Sequence, residues 1–316
     1  MRILFIGNTR LGDAILSTSI LRYYSENKAD ITIVCSPVSR EIYEGYTTKE
    51  KLIIIKKQKF SYHWVEVYKK LDSIKWSIVV DLRNTILSRI IRKKKILRLK
   101  SVTKSTKHRI EDLCGLIKLD EIKSPKIMVK RKDIVETEIF MKRKNIKKPV
   151  LAVAPFTNWS RKNWPVEKYI LVIENLLLNK KIKKIKSVIL LGSKNERALC
   201  ENMLKKLNHN SIQNLAGELK ISHLYYLIKN CEMFIGNDSG LSHLAAATEI
   251  KTLALFGPSR EIHYRPWGEN SFFIRTPESY EDLVLKKGYD RNKKSSLLKN
   301  LDENKVIKFC EKILKK

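Results

Sequence analysis

The chain has 316 residues, 43% of them hydrophobic, with 64 Lys and Arg against 33 Asp and Glu and a formal net charge of +31; that length favours two domains of roughly 150 residues. Such a charge favours nucleotides, phosphorylated glycolipids and anionic membrane surfaces, although the lysines are spread along the whole chain and biased composition accounts for part of the excess equally well. Five cysteines without CxxC spacing argue against a disulfide framework or a zinc site, and the absence of a secretory signal or of ~18 consecutive apolar residues argues for a cytoplasmic protein, at most touching the inner face of the inner membrane.

Short apolar runs rich in β-branched residues, each followed by a longer amphipathic stretch, carry the βαβ signature of parallel sheets buried on both faces. Strands are expected at Arg2 to Ile6, Asp30 to Cys35, Leu52 to Ile55, Ser77 to Asp81 and Ile96 to Leu99. A second set is expected at Val150 to Ala154, Ser187 to Leu191, Met233 to Ile235, Thr252 to Phe256 and Phe272 to Ile274. The two sets predict an α/β chain of two doubly wound, Rossmann-like domains, 1–149 and 150–316. The charged stretch 129–148 reads as a helix and hinge between them. Residues 279–296 read as a loop, and 302–316 as an amphipathic helix with Val306, Phe309, Ile313 and Leu314 on one side. That last helix is free to return to the first domain.

In open α/β sheets, ligands bind beyond the carboxyl ends of the strands. The first such junction, Gly7-Asn8-Thr9-Arg10-Leu11-Gly12-Asp13, has neither GxGxxG nor the Gly-Lys-Ser/Thr of a P-loop, which argues against NAD binding and Walker-type ATP hydrolysis. Asp13 there either accepts a proton from an acceptor hydroxyl or caps its helix, and position alone favours the cap. At the second junction, Gly236-Asn237-Asp238-Ser239-Gly240-Leu241-Ser242-His243, small residues and the positive end of the following helix suit a pyrophosphate, with Asp238 toward sugar hydroxyls. An Asp-Ser cap with a satisfied histidine is the plainer alternative. A third cluster, Pro155 to Pro165, offers Thr157, Arg161 and Lys162 to a diphosphate leaving group, although most lysines in so basic a chain are solvated surface residues.

Taken in order, these clusters resemble glycosyltransferase family 9, the ADP-heptose:lipopolysaccharide heptosyltransferases. The resemblance runs through RILFIGNTRLGDAILST at the start, VVDLRN at 79–84, HRIEDLCGLI at 108–117, APFTNWSRKNWPVEKY at 154–169, LLGSKNE at 190–196, LAGELKISHL at 215–224 and IGNDSGLSHLAAA before LALFGPS. It implies a GT-B fold, with the acceptor on the first domain and the sugar nucleotide on the second. It also implies an inverting, metal-independent transfer in which Asp13 is the base and Lys162 meets the donor phosphates beside Thr157. By the same resemblance Asp238 holds the heptose, Ser239, Gly240 and His243 form the pyrophosphate turn, Leu219 covers the adenine and Glu196 meets the ribose. No cofactor or metal is implied.

The chain departs from the family at Ser17-Thr18-Ser19, where a proline is common, at Arg260, where an acid is frequent, and at Asn158, which replaces a threonine. These departures leave donor and acceptor open. Arg10, Arg83 and the run Arg92 to Lys95 are candidates for acceptor phosphates or carboxylates, with a solvated lysine face as the alternative for Lys93 to Lys95. The expected partners are an ADP-sugar, an anionic lipopolysaccharide or lipooligosaccharide acceptor and an anionic membrane surface, for a monomer that does not bind nucleic acid. Two competing readings are a GT-B transferase using another nucleotide sugar and a non-catalytic anion- or nucleic-acid-binding protein.

Overall fold

A computed structural model describes residues 1–99, 106–118, 121–178 and 185–315. The chain forms two compact units, Met1–Lys130 and Arg131–Lys316. The first contains β1 (Arg2–Ile6), α1 (Leu11–Glu26), β2 (Asp30–Cys35), α2 (Arg40–Tyr43), β3 (Leu52–Ile54), α3 (His63–Leu71), β4 (Trp76–Asp81), α4 (Leu87–Ile90), β5 (Lys93–Arg98) and α5 (Arg109–Leu116). Its parallel sheet has the order β3-β2-β1-β4-β5. The second contains α6 (Arg131–Arg143), β6 (Val150–Ala154), α7 (Val166–Leu178), β7 (Ser187–Leu190), α8 (Arg197–Leu207), β8 (Ile212–Asn214), α9 (Ile221–Lys229), β9 (Met233–Asn237), α10 (Gly240–Ala246), β10 (Lys251–Phe256), α11 (Glu261–Tyr264), β11 (Ser271–Arg275) and α12 (Glu303–Lys315). Its sheet is also parallel, ordered β11-β10-β9-β6-β7-β8.

In both units the central strands are continuous apolar runs because helices cover both faces of the sheet. Ile3 to Ile6 of β1 and Val150 to Ala154 of β6 have no exposed surface. The order of strands reverses between β1 and β4 in the first sheet and between β6 and β9 in the second. At such a reversal the connections leave in opposite directions and open a crevice at the carboxyl ends.

α1 is buried along most of its length, including Ser17, Thr18 and Ser19. Their hydroxyls donate to the carbonyls of Ala14, Ile15 and Leu16, so these polar groups sit inside without an unmet bond.

Several elements differ from the sequence expectation. β8 is an added edge strand that buries only Ile212 and Asn214 of its three residues, too short for a periodic signal. β5 begins at Lys93, so Lys93 to Lys95 lie on the amino half of an edge strand and not at the carboxyl end. Lysines there keep an open sheet edge from pairing with other chains, and Lys93 donates to the carbonyls of Arg89 and Ile91. The stretch 279–296 contains a π-helical turn, Glu281–Leu285, with Leu283 buried. α6 packs on α9, which puts the division between units at 130/131, ahead of the 149/150 boundary expected from the strands. α12 packs against α7, burying Val306, Cys310, Ile313 and Leu314 in the second unit's own core. All five cysteines are buried and free, and burial pushes the thiols of Cys35 and Cys200 up to about 12.

Candidate functional site

In the first unit, the candidate residues follow the two strands that flank the reversal. After β1 the Gly7 N–H donates to the Val34 carbonyl at 2.9 Å. The Tyr43 ring lies so close that a Cβ on Gly7 would stand 2.6 Å from it, which is why glycine is needed there. The Tyr43 hydroxyl shares a 2.8 Å hydrogen bond with Ser17, and burial drives its pKa well up. Arg10 is the N-cap residue of α1, in extended conformation and without a side-chain cap bond, while Asp13 sits in the first turn. Asp13 is thus not the N-cap residue itself, and a carboxylate in a first turn is electrostatically favoured.

After β4, the fully buried Asp81 organises the next turn. Its carboxylate accepts from the backbone N–H groups of Arg83 (2.9 Å) and Thr85 (2.6 Å) and from the hydroxyls of Thr85 and Ser88. Arg83 is thereby held with its guanidinium 5.1 Å from the Trp64 ring centre. Its Nη1 is buried without a hydrogen-bond partner among the described residues, and burial lowers its pKa. The buried Arg109, at the head of α5, likewise leaves Nε and Nη1 unpartnered among the described residues. Sequence reasoning missed Asp81 and Arg109. Asp81 stands in VVDLRN and Arg109 in HRIEDLCGLI, but only burial distinguishes them from ordinary charged residues.

In the second unit, the loops after β6 and β9 meet at the reversal. Lys162 Nζ lies 2.5 Å from Asp238 Oδ2 and 3.4 Å from the Asp238 carbonyl. Asp238 is almost fully buried and the lysine only partly exposed. Thr157 is fixed in the same loop. Its N–H and hydroxyl both donate to Asn163 Oδ1, at 2.9 and 3.0 Å. Asn237, which has no exposed surface, stitches the two loops together. Its Oδ1 accepts from the Trp164 N–H (3.0 Å) and the Tyr169 hydroxyl (3.1 Å), and its Nδ2 donates to the Pro155 carbonyl at 2.7 Å. Sequence reasoning missed this residue, whose partners are remote in sequence.

Ser239 is the N-cap residue of α10, yet its side chain makes no capping bond, and its buried Oγ has no hydrogen-bond partner among the described residues. The Asp-Ser cap anticipated as the plainer alternative is not formed. Gly240 opens α10, Ser242 donates to the Asn237 carbonyl at 2.6 Å, and His243 is buried in the same short helix. Arg161 does not reach the crevice. It is buried, stacks 5.0 Å from the Tyr289 ring centre and donates to the Asp290 carbonyl, so it fastens the loop to the 289–290 stretch.

Glu196 and Leu219 stand at the ends of the neighbouring strands β7 and β8. Glu196 Oε2 accepts from the Ser193 N–H at 2.6 Å, closing a capping box. Gly217, at φ +72°, brings the β8 loop against Lys194, where a Cβ would lie 2.6 Å from the Lys194 Cα. Leu219 is half-buried just beyond. The structure thus pairs Lys162 with Asp238 directly and joins Thr157, Ser239, Gly240 and His243 to the same two loops. Glu196 and Leu219 lie at adjacent strand ends of that sheet, and Asp13, Arg10 and Arg83 lie in the first unit.

The family model described as Glycosyltransferase family 9 (heptosyltransferase) matches residues 108–293. Among curated proteins, the chain is 29% identical to Lipooligosaccharide heptosyltransferase 2 of Campylobacter jejuni over 172 residues, 53% of this chain and 52% of that one. It is 28% identical to Lipopolysaccharide heptosyltransferase 3 of Escherichia coli over 170 residues, 54% of this chain and 47% of that one. The match thus spans about half the length of these relatives. Among solved structures, a family 9 glycosyl transferase of Veillonella parvula superposes with a TM-score of 0.80 at 20% identity, covering 99% of this chain and 97% of that one. The E. coli ADP-heptose lps heptosyltransferase II gives 0.76 at 19% identity, covering 99% and 98%. At these identities the structural likeness speaks for the fold, which is GT-B.

Proposed function

This chain belongs to glycosyltransferase family 9, and from that premise we propose that it transfers a heptose from an ADP-heptose donor to an anionic lipopolysaccharide or lipooligosaccharide core acceptor, by inverting, metal-independent displacement. The observation that carries the reading is the Lys162–Asp238 pair at the β6/β9 reversal, with the unpartnered Ser239 hydroxyl beside it. A diphosphate needs a cation and free donors where its charge develops. Lys162, Ser239 and the N–H groups opening α10 supply them, Thr157 joins once its hydroxyl turns from Asn163, and Asp238 turns from Lys162 to the sugar hydroxyls. Glu196 and Leu219 serve the ribose and the adenine.

In the first unit, Asp13 takes the proton of the acceptor hydroxyl. The oxygen attacks the anomeric carbon from the face opposite the leaving group, the bond to the β-phosphate oxygen breaks, and ADP departs with the electron pair. One displacement of this kind inverts the anomeric configuration. Arg10 and Arg83 meet the acceptor's anionic groups, for which the buried, unpartnered Nη1 of Arg83 speaks.

Calorimetry with ADP-, UDP- and GDP-sugars tests the donor, and an ADP-sugar is expected to bind most tightly. Asp13→Asn is expected to cut transfer by about 10²- to 10⁴-fold, the usual contribution of a general base, while donor affinity stays as in the parent. Unchanged turnover would remove Asp13 from the mechanism.

The reading includes a monomer working at the inner membrane face. Among the described residues no helix is long and apolar enough to cross a membrane. In the first unit, however, Phe60 is fully exposed at φ 51° and Tyr62 is exposed beside it. Lys56, Lys57 and Lys59 flank them, the combination of aromatic and basic groups that suits an anionic lipid interface.

A further inference from the structure

We propose that helices α6 and α9 carry a divalent transition-metal site built from Asp133, Glu136 and His223. One ligand atom from each lies within 4.8 Å of the other two. His223 Nε2 stands 3.0 Å from Glu136 Oε2 and 3.8 Å from Asp133 Oδ1. The sequence produces this cluster simply: Asp133 and Glu136 are three residues apart on α6 and share a face, and that helix packs on α9, which presents His223. His223 is only 8% exposed, so the imidazole is drawn into the seam between the helices.

The seam itself needs polar fastening. α6 (RKDIVETEIFMKR) buries only Thr137 and Met141, and its contacts with α9 include the His223 pairs and a 2.8 Å bond from the Tyr226 hydroxyl to Glu138. An ion between Asp133, Glu136 and His223 would cross-link the two helices.

The ligand set selects the metal. One imidazole with two carboxylates suits Zn²⁺ or Mn²⁺, whereas Ca²⁺ and Mg²⁺ prefer all-oxygen shells. Ligands held ~2.1 Å from a tetrahedral ion stand ~3.4 Å apart, and the separations from His223 Nε2, 3.0 and 3.8 Å, lie on either side of that value. Occupancy therefore needs side-chain adjustment and no helix movement. Two carboxylates balance the charge of a divalent ion. Lys132 Nζ lies 3.6 Å from Glu136 Oε1, leaving Oε2 as the ligand atom. The ion takes the place of the His223–Glu136 hydrogen bond, and a water completes the shell. The ion takes no part in transfer, so the site stands or falls apart from the proposed reaction. Its effect is on α9, whose preceding loop carries Leu219.

The test is calorimetry and thermal unfolding of the chelator-stripped full chain, titrated with Zn²⁺ and Mn²⁺, with Co²⁺ as a spectroscopic probe. The expected result is one Zn²⁺ per chain at micromolar or lower Kd, an upward Tm shift of a few degrees at saturation and visible absorption of four-coordinate Co²⁺. All three are expected to vanish in His223→Ala and in the isosteric double variant Asp133→Asn/Glu136→Gln. Absence of binding in the parent, or binding that both variants retain, would overturn the site.

Discussion

The residues proposed for donor binding are already engaged with one another. Lys162 neutralises Asp238 at 2.5 Å, and a bound sugar nucleotide would part them, the lysine going to phosphate and the carboxylate to hydroxyls. Removing the carboxylate deprives the sugar of hydrogen bonds to a charged group, each worth about 1.5–3 kcal/mol. Asp238→Ala is therefore expected to raise the Kd for the sugar nucleotide by about 10- to 100-fold, read by calorimetry; an unaltered Kd would count against the assignment. Asp13, Lys162 and Asp238 could be proposed from the sequence because they stand in short motifs at strand ends. Asp81 and Asn237 could not, since their roles depend on partners brought together by folding: a four-donor turn for Asp81, and Pro155, Trp164 and Tyr169 for Asn237.

At the scale of elements, the strand ends rather than the helices determine the site. Asn237 couples the loop after β6 to the end of β9, so truncating it strands a buried tyrosine hydroxyl, a tryptophan N–H and a carbonyl. Each such orphan costs about 1–3 kcal/mol. Asn237→Ala is expected to lower unfolding stability by about 3–5 kcal/mol, measured by denaturant titration, and to reduce donor binding although the residue touches no ligand in the proposed arrangement. The central strands were readable because burial on both faces leaves continuous apolar runs. β8 escaped because three residues, one of them apolar, carry no period. The start of β5 escaped because its lysines are selected by edge protection, which cancels the apolar signal. The start of α1 at Leu11 carries no sequence signal, because Arg10 makes the N-cap turn through its backbone alone, without the cap side chain that sequence reasoning looks for.

For the whole molecule, the two-unit organisation followed from counting strands, but the division did not. A charged helix reads as a hinge until its contacts are known, and α6 is fastened to α9 through His223, Tyr226 and their acidic partners. The net charge of +31 acts at this scale too. Co-sedimentation with anionic phosphatidylglycerol vesicles is expected to be strong at ~0.05 M NaCl and to fall steeply by ~0.5 M. Phe60→Ala is expected to weaken it at every salt concentration, whereas neutral phosphatidylcholine vesicles should bind little; equal binding to both lipids would exclude the electrostatic component. So strong a field also attracts every small anion in its surroundings, and here the Lys162–Asp238 pair has a further consequence. In the proposed arrangement a bare phosphate would compete poorly for Lys162, because it offers nothing to the Asp238 carboxylate that it displaces. A ligand joining sugar hydroxyls to a diphosphate would satisfy both partners, so the same contact would both tune affinity and filter out the commonest inhibitors a basic protein meets.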